Sequence, residues 1–527
     1  MNLASQLLPG QFRKSPVALL LAVVIFFWVA YELAQYVIAG DLYGLAYLAI
    51  GAIVLASFST MLGHWRTGLF IFLGWLFIED FARKYLGNNM AIYFAKDVLV
   101  AMVYLSFFLA YRDHKVQSFR LPFRLPLLLF FWFGVMQMFN PASTSIVFGL
   151  LGVKLYFYYI PLIFMGYALI DSENDLRKFF PFLLAFTLVV SALGIAQSIL
   201  GHTFMNPTIM AEDIRELSTN YRTAPLSGVV VYRPTSVFVS AGRFAFFLVP
   251  AWLFAFGYGA YLILRTQRGR ILTLLSLGSI TVAVAMAASR GTLLWTIGSA
   301  LVCVVAFLWG CPWQRGQLVR ILRSFQRALV IGVICLATAG FFFPDEVKNR
   351  FAFYWETLSL SSPATELVDR TSTYPIRNFL YAFESPRWPY GYGIGTSSLG
   401  TQYVTRIFHV SLSGFNVESG YGTLVVELGI VGLFLWLLMA SAIVIAAWKV
   451  VRKLKGTVWF PIAFVIFWYA FLLLFPYTYA GLAPYEDFIL NCLLWLTLGI
   501  LFRLPSLDVT VQANSLAAAS ASAARMT

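Results

Sequence analysis

Apolar positions in this chain neither alternate nor keep to one helical face; they run in long blocks separated by short polar stretches. A helix that crosses a bilayer needs about 20 such residues, because the hydrocarbon is about 30 Å thick and each residue rises 1.5 Å. Blocks of this kind lie near 17–38, 42–62, 67–78, 90–110, 127–139, 150–170, 179–200, 237–264, 271–288, 292–309, 328–343, 421–448, 458–475 and 488–502. They predict an all-α integral membrane protein, a polytopic bundle of about 14 transmembrane helices. The blocks at 67–78 and 127–139 reach only about 18–20 Å as helix, so they either borrow flanking residues or are re-entrant.

Composition narrows the function classes. Of 527 residues, 60% are hydrophobic and 11% charged, against roughly 25% charged in soluble domains, so a water-soluble globule is excluded. The net charge of +14 comes from basic residues scattered through inter-helix loops. That scatter argues against nucleic acid and leaves membrane lipids as the general partner. The four cysteines show no CxxC spacing, and His64, His114, His202 and His409 form no HExxH pattern. No metal site, disulfide framework or cofactor is therefore expected.

Orientation follows from positive charge. With the N-terminus inside, the loops on that side collect most of the Lys and Arg residues, among them Arg112, Lys115, Arg120, Arg124, Lys449, Arg452, Lys453 and Lys455. The positive-inside rule then puts both termini in the cytoplasm. The first block is full length and has no small-residue cleavage pattern, so it is expected to stay as a helix. The expected organisation is a transmembrane bundle over 1–343 with a first periplasmic loop at 202–236, a large helical periplasmic loop at 344–420, C-terminal transmembrane helices over 421–503, and a disordered cytoplasmic tail at 504–527.

Arginine in or beside hydrocarbon is costly, and one that persists there usually faces a cavity or an anion. Three qualify at the outer leaflet: Arg233 before Pro234, Arg243 in the next helix, and Arg290 in the turn Ala288-Ser289-Arg290-Gly291. Guanidinium groups match phosphate oxygens bidentately and stay charged, so a diphosphate fits them without metal. The same residues also suit snorkelling to headgroups or capping of helices. Lys96-Asp97 is adjacent on a helix, so each needs another partner, as in a structural interhelical ion pair. Glu418 opens the helix after the large loop, level with the arginines. It is either a base for a sugar hydroxyl or a helix-terminal charge favoured by the dipole. His409 is a reserve base. The series Gly391-Tyr392-Gly393-Ile394-Gly395 follows no strand and opens no Rossmann helix, so it reads as a tight, aromatic-flanked turn rather than a nucleotide site.

The order of these features resembles the O-antigen ligase and polymerase superfamily. Its carriers are Arg233-Pro234-Thr235-Ser236-Val237-Phe238, the Ser289-Arg290-Gly291 turn, Pro389-Tyr390-Gly391-Tyr392-Gly393-Ile394-Gly395, and Glu427-Leu428-Gly429-Ile430-Val431-Gly432-Leu433, over roughly residues 90 to 450. The resemblance implies a metal-independent glycosyltransferase with a GT-C-like helical bundle, using undecaprenyl-diphosphate-linked glycans as donor and acceptor at the periplasmic face. A chain-length regulator is a further partner it implies. In that likeness Arg233 and Arg290 bind the diphosphate, Arg243 assists, and Arg370 and Arg377 lie near the glycan. Ligases carry a His-Asn pair eleven and ten residues before the first glycine of the closing Gly-x-x-Gly; here those positions hold Glu418-Ser419. The missing histidine favours a polymerase that joins repeat units, with Arg290 and Glu418 as its catalytic pair. The rivals are a ligase passing finished glycan to another acceptor, and a transporter or flippase for lipid-linked sugars. A transporter would line a path through the whole membrane with charge and often carry internal repeats.

Overall fold

The computed structural model describes residues 58 to 524 except 59, 87, 89, 115, 208–209, 211, 266–268, 315, 318, 320–325, 327–329, 331–333, 335–336, 339, 360–367, 412–414 and 416. The spans expected at 17–38 and 42–62, and much of that at 328–343, lie outside the described residues. The chain forms two compact units, one comprising residues 1–83 and 89–117 and the other residues 84–88 and 118–527.

In the first unit the block at 67–78 is the centre of a longer helix, α1 (Trp65–Tyr85), which does take in its polar flanks. Helix α2 (Met90–Arg112) follows. Lys96 of α2 donates to Glu79 of α1 at 2.9 Å, and both are buried. Lys96 also sits over the Tyr93 ring, 3.5 Å from its centroid. The interhelical ion pair expected for Lys96 is thus formed across α1 and α2, which compensates the cost of each charge in an apolar setting.

The second unit runs α3 (Arg124–Gln137), α4 (Ile146–Phe157), α5 (Leu162–Leu169) and α6 (Glu173–Leu200). Helices α4 and α5 are one membrane-length segment broken ahead of Pro161, which cannot donate to the helical ladder. The segment after α6 holds a short helix α7 (Glu212–Ser218) and an antiparallel hairpin, β1 (Asn220–Thr223) with β2 (Val230–Arg233). Then come α8 (Ala241–Leu264), α9 (Arg270–Met286), α10 (Arg290–Gly310), α11 (Pro344–Leu358), α12 (Tyr374–Tyr381) and α13 (Thr401–Phe408). The chain closes with α14 (Gly420–Lys453), α15 (Phe460–Leu472), a short α16 (Ala483–Glu486) and α17 (Phe488–Ala524).

Eight helical segments are long and apolar enough to cross a membrane among the described residues. Helices α3 and α9, of 14 and 17 residues, are shorter. The protein is therefore an all-α, multi-pass membrane protein with a single hairpin among the described residues. Its last helix continues to Ala524 where a disordered tail is expected; the alanine-rich end has high intrinsic helix propensity and no glycine or proline after Pro505.

Two glycine-bearing motifs explain each other. Helix α14 breaks at Gly429, whose φ of 70° and ψ of −176° are not helical. The break frees the carbonyls of Val426 and Glu427, and a freed carbonyl inside a membrane helix must find another donor. Tyr392 N–H donates to Val426 O at 2.8 Å and Gly393 N–H to Glu427 O at 2.9 Å. The glycine series of the large loop is thus laid against the kink. A Cβ on Gly391 would stand 2.3 Å from Glu427 O, and one on Gly429 would stand 2.4 Å from Pro389 O. The Glu427 side chain, wholly buried, accepts from the Tyr156 hydroxyl, Ser397 N–H and the Ser398 hydroxyl. Trp436 packs edge-to-face against Tyr156, Tyr485 and Phe130, and Tyr156 reaches Glu427 from this cluster.

Candidate functional site: an arginine-lined cavity

Two turns carry Arg233 and Arg290, and both are held in backbone conformations that ordinary side chains rarely adopt. Ser236, three residues after Arg233, has φ 53°; Ala288, two before Arg290, has φ 47°. Such conformations persist only where surrounding contacts over-determine them. At the first turn, Thr235 and Ser236 N–H both donate to Gln197 Oε1, at 2.8 and 2.7 Å. Ser236 Oγ donates to Val190 O, and Lys84 donates to Thr235 Oγ1 and Ser236 O at 2.8 Å each. At the second, the Tyr354 hydroxyl of α11 receives Ser289 N–H.

Arg350, also on α11, ties the two turns together. Its guanidinium donates to Met286 O at 2.6 Å and to Tyr232 O at 3.2 Å. One buried side chain therefore fixes the residue before Arg233 against the end of the helix before Arg290. No motif signalled this role; Arg350 stands in an unremarkable amphipathic stretch.

Arg233 and Arg290 line one cavity of about 760 Å³, together with Arg222. Arg222 joins them because it is diagonal to Arg233 across the hairpin, where Arg222 pairs with Val231 and Asn220 with Arg233. The remaining wall is mostly apolar or aromatic, including Leu294, Trp295, Val302, Phe353 and Trp468, with the hydroxyl residues Ser289 and Thr371. None of the described residues lining it is acidic. Arg233 is buried, and its Nε has no hydrogen-bond partner among the described residues. Burial first, and then the Arg222 and Arg290 charges, pull its pKa down to about 10. A guanidinium held this way is still charged at neutral pH and is short of an anion.

The structure does not bring the third arginine into this cavity. Arg243 Nε donates to Asp487 Oδ2 at 2.6 Å, and its guanidinium lies 4.2 Å from the centroid of Phe488. It closes a buried ion pair between the start of α8 and the segment before α17. For Arg370, only the backbone falls within the described residues, in a π-helical turn (Asp369–Thr373). Arg377 is exposed, lies over the Tyr374 ring at 5.9 Å, and lines a separate open groove with Asn378, Tyr381 and Glu384.

Glu418 is exposed just before α14, where Ser419 is the N-cap, and its carboxylate accepts the Tyr374 hydroxyl. It lines a third pocket, of about 480 Å³. One chain segment runs from the lining of the arginine cavity into that of this pocket. Pro375 faces the cavity next to Tyr374, while Tyr479 and Ala480 line the cavity and Gly481 and Leu482 line the Glu418 pocket. His409 lines none of these three.

The cavity thus offers cationic groups at one part and an apolar wall at another, with an exposed carboxylate in an adjoining pocket. Comparison of the chain with protein-family models, characterised proteins and solved structures finds no match.

Proposed function

We propose that this protein is a membrane glycosyltransferase that polymerises undecaprenyl-diphosphate-linked oligosaccharide repeat units into a surface polysaccharide such as O-antigen or exopolysaccharide, at the periplasmic face of the inner membrane. The single observation that carries the reading is the cavity's composition: the guanidinium side chains of Arg222, Arg233 and Arg290 gathered beside the apolar Leu294, Trp295, Val302 and Trp468. A ligand complementary to it is an anion attached to a long apolar chain, and a polyprenyl diphosphate is both. The bundle would in this reading be GT-C-like, with about fourteen spans counting those outside the described residues.

In the reaction, a hydroxyl oxygen of the acceptor glycan attacks the anomeric carbon of the donor, and the bond from that carbon to the diphosphate oxygen breaks. The diphosphate leaves with the electron pair, and its growing charge meets Arg233 and Arg290. Preorganised donors of this kind lower a barrier by about 3 kcal/mol each in a water-poor site. The hydroxyl proton passes to Glu418, which Tyr374 holds in place. Arg377 and Arg370, on or beside the same loop helix as Tyr374, are assigned to the glycan rather than the diphosphate. Arg243 is assigned a structural role through Asp487.

The test is the mass of carbohydrate-bearing lipids in cells making Arg290→Ala. Polymer is expected to vanish and lipid-linked single units to accumulate at normal protein level, a loss of about 10²–10³-fold in turnover. Long chains accumulating on the carrier would instead indicate a ligase. Normal polymer would remove Arg290 from the mechanism.

A further inference from the structure

The Glu418 pocket has a chemistry of its own. Its volume of about 480 Å³ is within the 300–1,000 Å³ typical of small-molecule sites. Among the described residues, no lysine, arginine or aromatic residue lines it. Three of its threonines have already committed their hydroxyl protons to backbone carbonyls: Thr396 to Gly393, Thr401 to Ser398 and Thr423 to Ser419. What these oxygens retain is lone pairs, so they accept. Glu418 adds a carboxylate. At the base, Glu486 is buried, accepts Leu399 N–H at 2.7 Å through Oε2, and has no hydrogen-bond partner for Oε1 among the described residues. Burial, with Glu427 behind it, holds the Glu486 carboxyl well above the usual carboxylate range. A proton retained there gives the base of the pocket one donor. The side chains of Ser397 and Gln402 have no hydrogen-bond partner among the described residues.

A pocket rich in acceptors, with two carboxyl groups and no cation among the described residues that line it, suits a ligand that presents several hydroxyl donors and no negative charge. We propose that the pocket between residues 396–402 and 481–486 holds the terminal sugar of the acceptor glycan, and that it selects an uncharged sugar over one bearing a carboxylate or phosphate. The proposal rests on the glycosyltransferase reading, in which Glu418 meets the acceptor hydroxyl. It divides the substrates between two adjoining pockets: the arginines take the donor's anion, the hydroxyl-lined pocket takes the acceptor's neutral ring, and the reacting ends meet along residues 479–482, which pass from one lining to the other.

The experiment is saturation-transfer NMR on the purified full chain in detergent micelles, with the methyl glycosides of glucose, galactose, rhamnose and N-acetylglucosamine, and with methyl glucuronide. At least one neutral glycoside should receive saturation and the glucuronide none. Ser397→Trp, which fills the pocket, should abolish the neutral signal. Gln402→Ala, at an exposed position that does not threaten folding, should weaken it about fivefold through one lost hydrogen bond. Equal signals from the glucuronide and the neutral sugars, a neutral signal unchanged in both variants, or no signal from any neutral glycoside at millimolar concentration would overturn the proposal. Binding of undecaprenyl diphosphate is measured on the same preparations. Its absence sinks the polymerase reading whatever the sugars do, whereas its presence in both variants beside a failed sugar test sinks only the pocket assignment.

Discussion

Arg233 and Arg243 illustrate how two arginines ten residues apart can have opposite roles. Arg243 has a carboxylate 2.6 Å away, whereas Arg233 is buried beside two other arginines, and no acid is among the described residues lining its cavity. Arg233 therefore destabilises the ligand-free fold. Its folded-state pKa, about 10, lies below the 12.5 of an ordinary guanidinium, so the penalty is full below about pH 10 and fades only above it. Arg233→Met is expected to raise the thermal midpoint of the ligand-free protein, by an amount equivalent to about 1–3 kcal/mol, while abolishing the stabilisation given by a polyprenyl diphosphate. A thermal-shift series with and without ligand checks both. Binding of that anion should be flat from about pH 6 to about pH 9 as far as the guanidinium is concerned. Glu418 is tested by Glu418→Gln, which keeps size and loses basicity; turnover should fall about 10²–10⁴-fold. Unchanged turnover would assign Glu418 to the helix end alone.

At the scale of elements, the most constrained contact is the loop segment lying on the α14 kink. Gly429→Ala meets both a left-handed φ and a carbonyl 2.4 Å away. The backbone conformation alone costs about 1–3 kcal/mol, so this variant is expected to lower the amount of folded protein rather than merely slow it. Arg243→Ala leaves Asp487 buried without its partner, a loss of about 3–5 kcal/mol, and should do the same. Fluorescence-detected size exclusion in detergent reads both. These elements also mark where the sequence was informative. The membrane blocks were legible because hydrocarbon thickness dictates their length, and eight of them recur as helices of that length within a few residues. The glycine motifs were visible as motifs, but nothing local said that one would dock on the other, since the 2.8 Å bond from Tyr392 to Val426 spans distant parts of the chain. Hairpin β1–β2 went unread because its strands are four residues each, too short for an alternating pattern to emerge.

For the molecule as a whole, the topology map set Arg233 and Arg290 at one membrane depth, and the structure lines one cavity with both, Arg233 at the end of β2 and Arg290 at the start of α10. It grouped Arg243 with them on the same ground and missed Arg222, since membrane depth says nothing about which way a side chain turns. Arg350 and Glu486 were invisible for a related reason: a buried polar group gains its role from residues that the fold, not the sequence, makes its neighbours. The resulting division of labour is spatial. One cavity collects cations beside a largely apolar wall, another collects hydroxyls and carboxyls, and residues 479–482 run from the lining of one into that of the other.

The most direct test of that division is binding of undecaprenyl diphosphate to the purified protein in lipid nanodiscs, compared between the unaltered chain, Arg233→Ala, Arg290→Ala and Arg377→Ala. The account predicts saturable binding that weakens about tenfold or more in each of the first two variants, through loss of a charge-assisted contact, and is unchanged in the third. Equal affinity in all four proteins would contradict it.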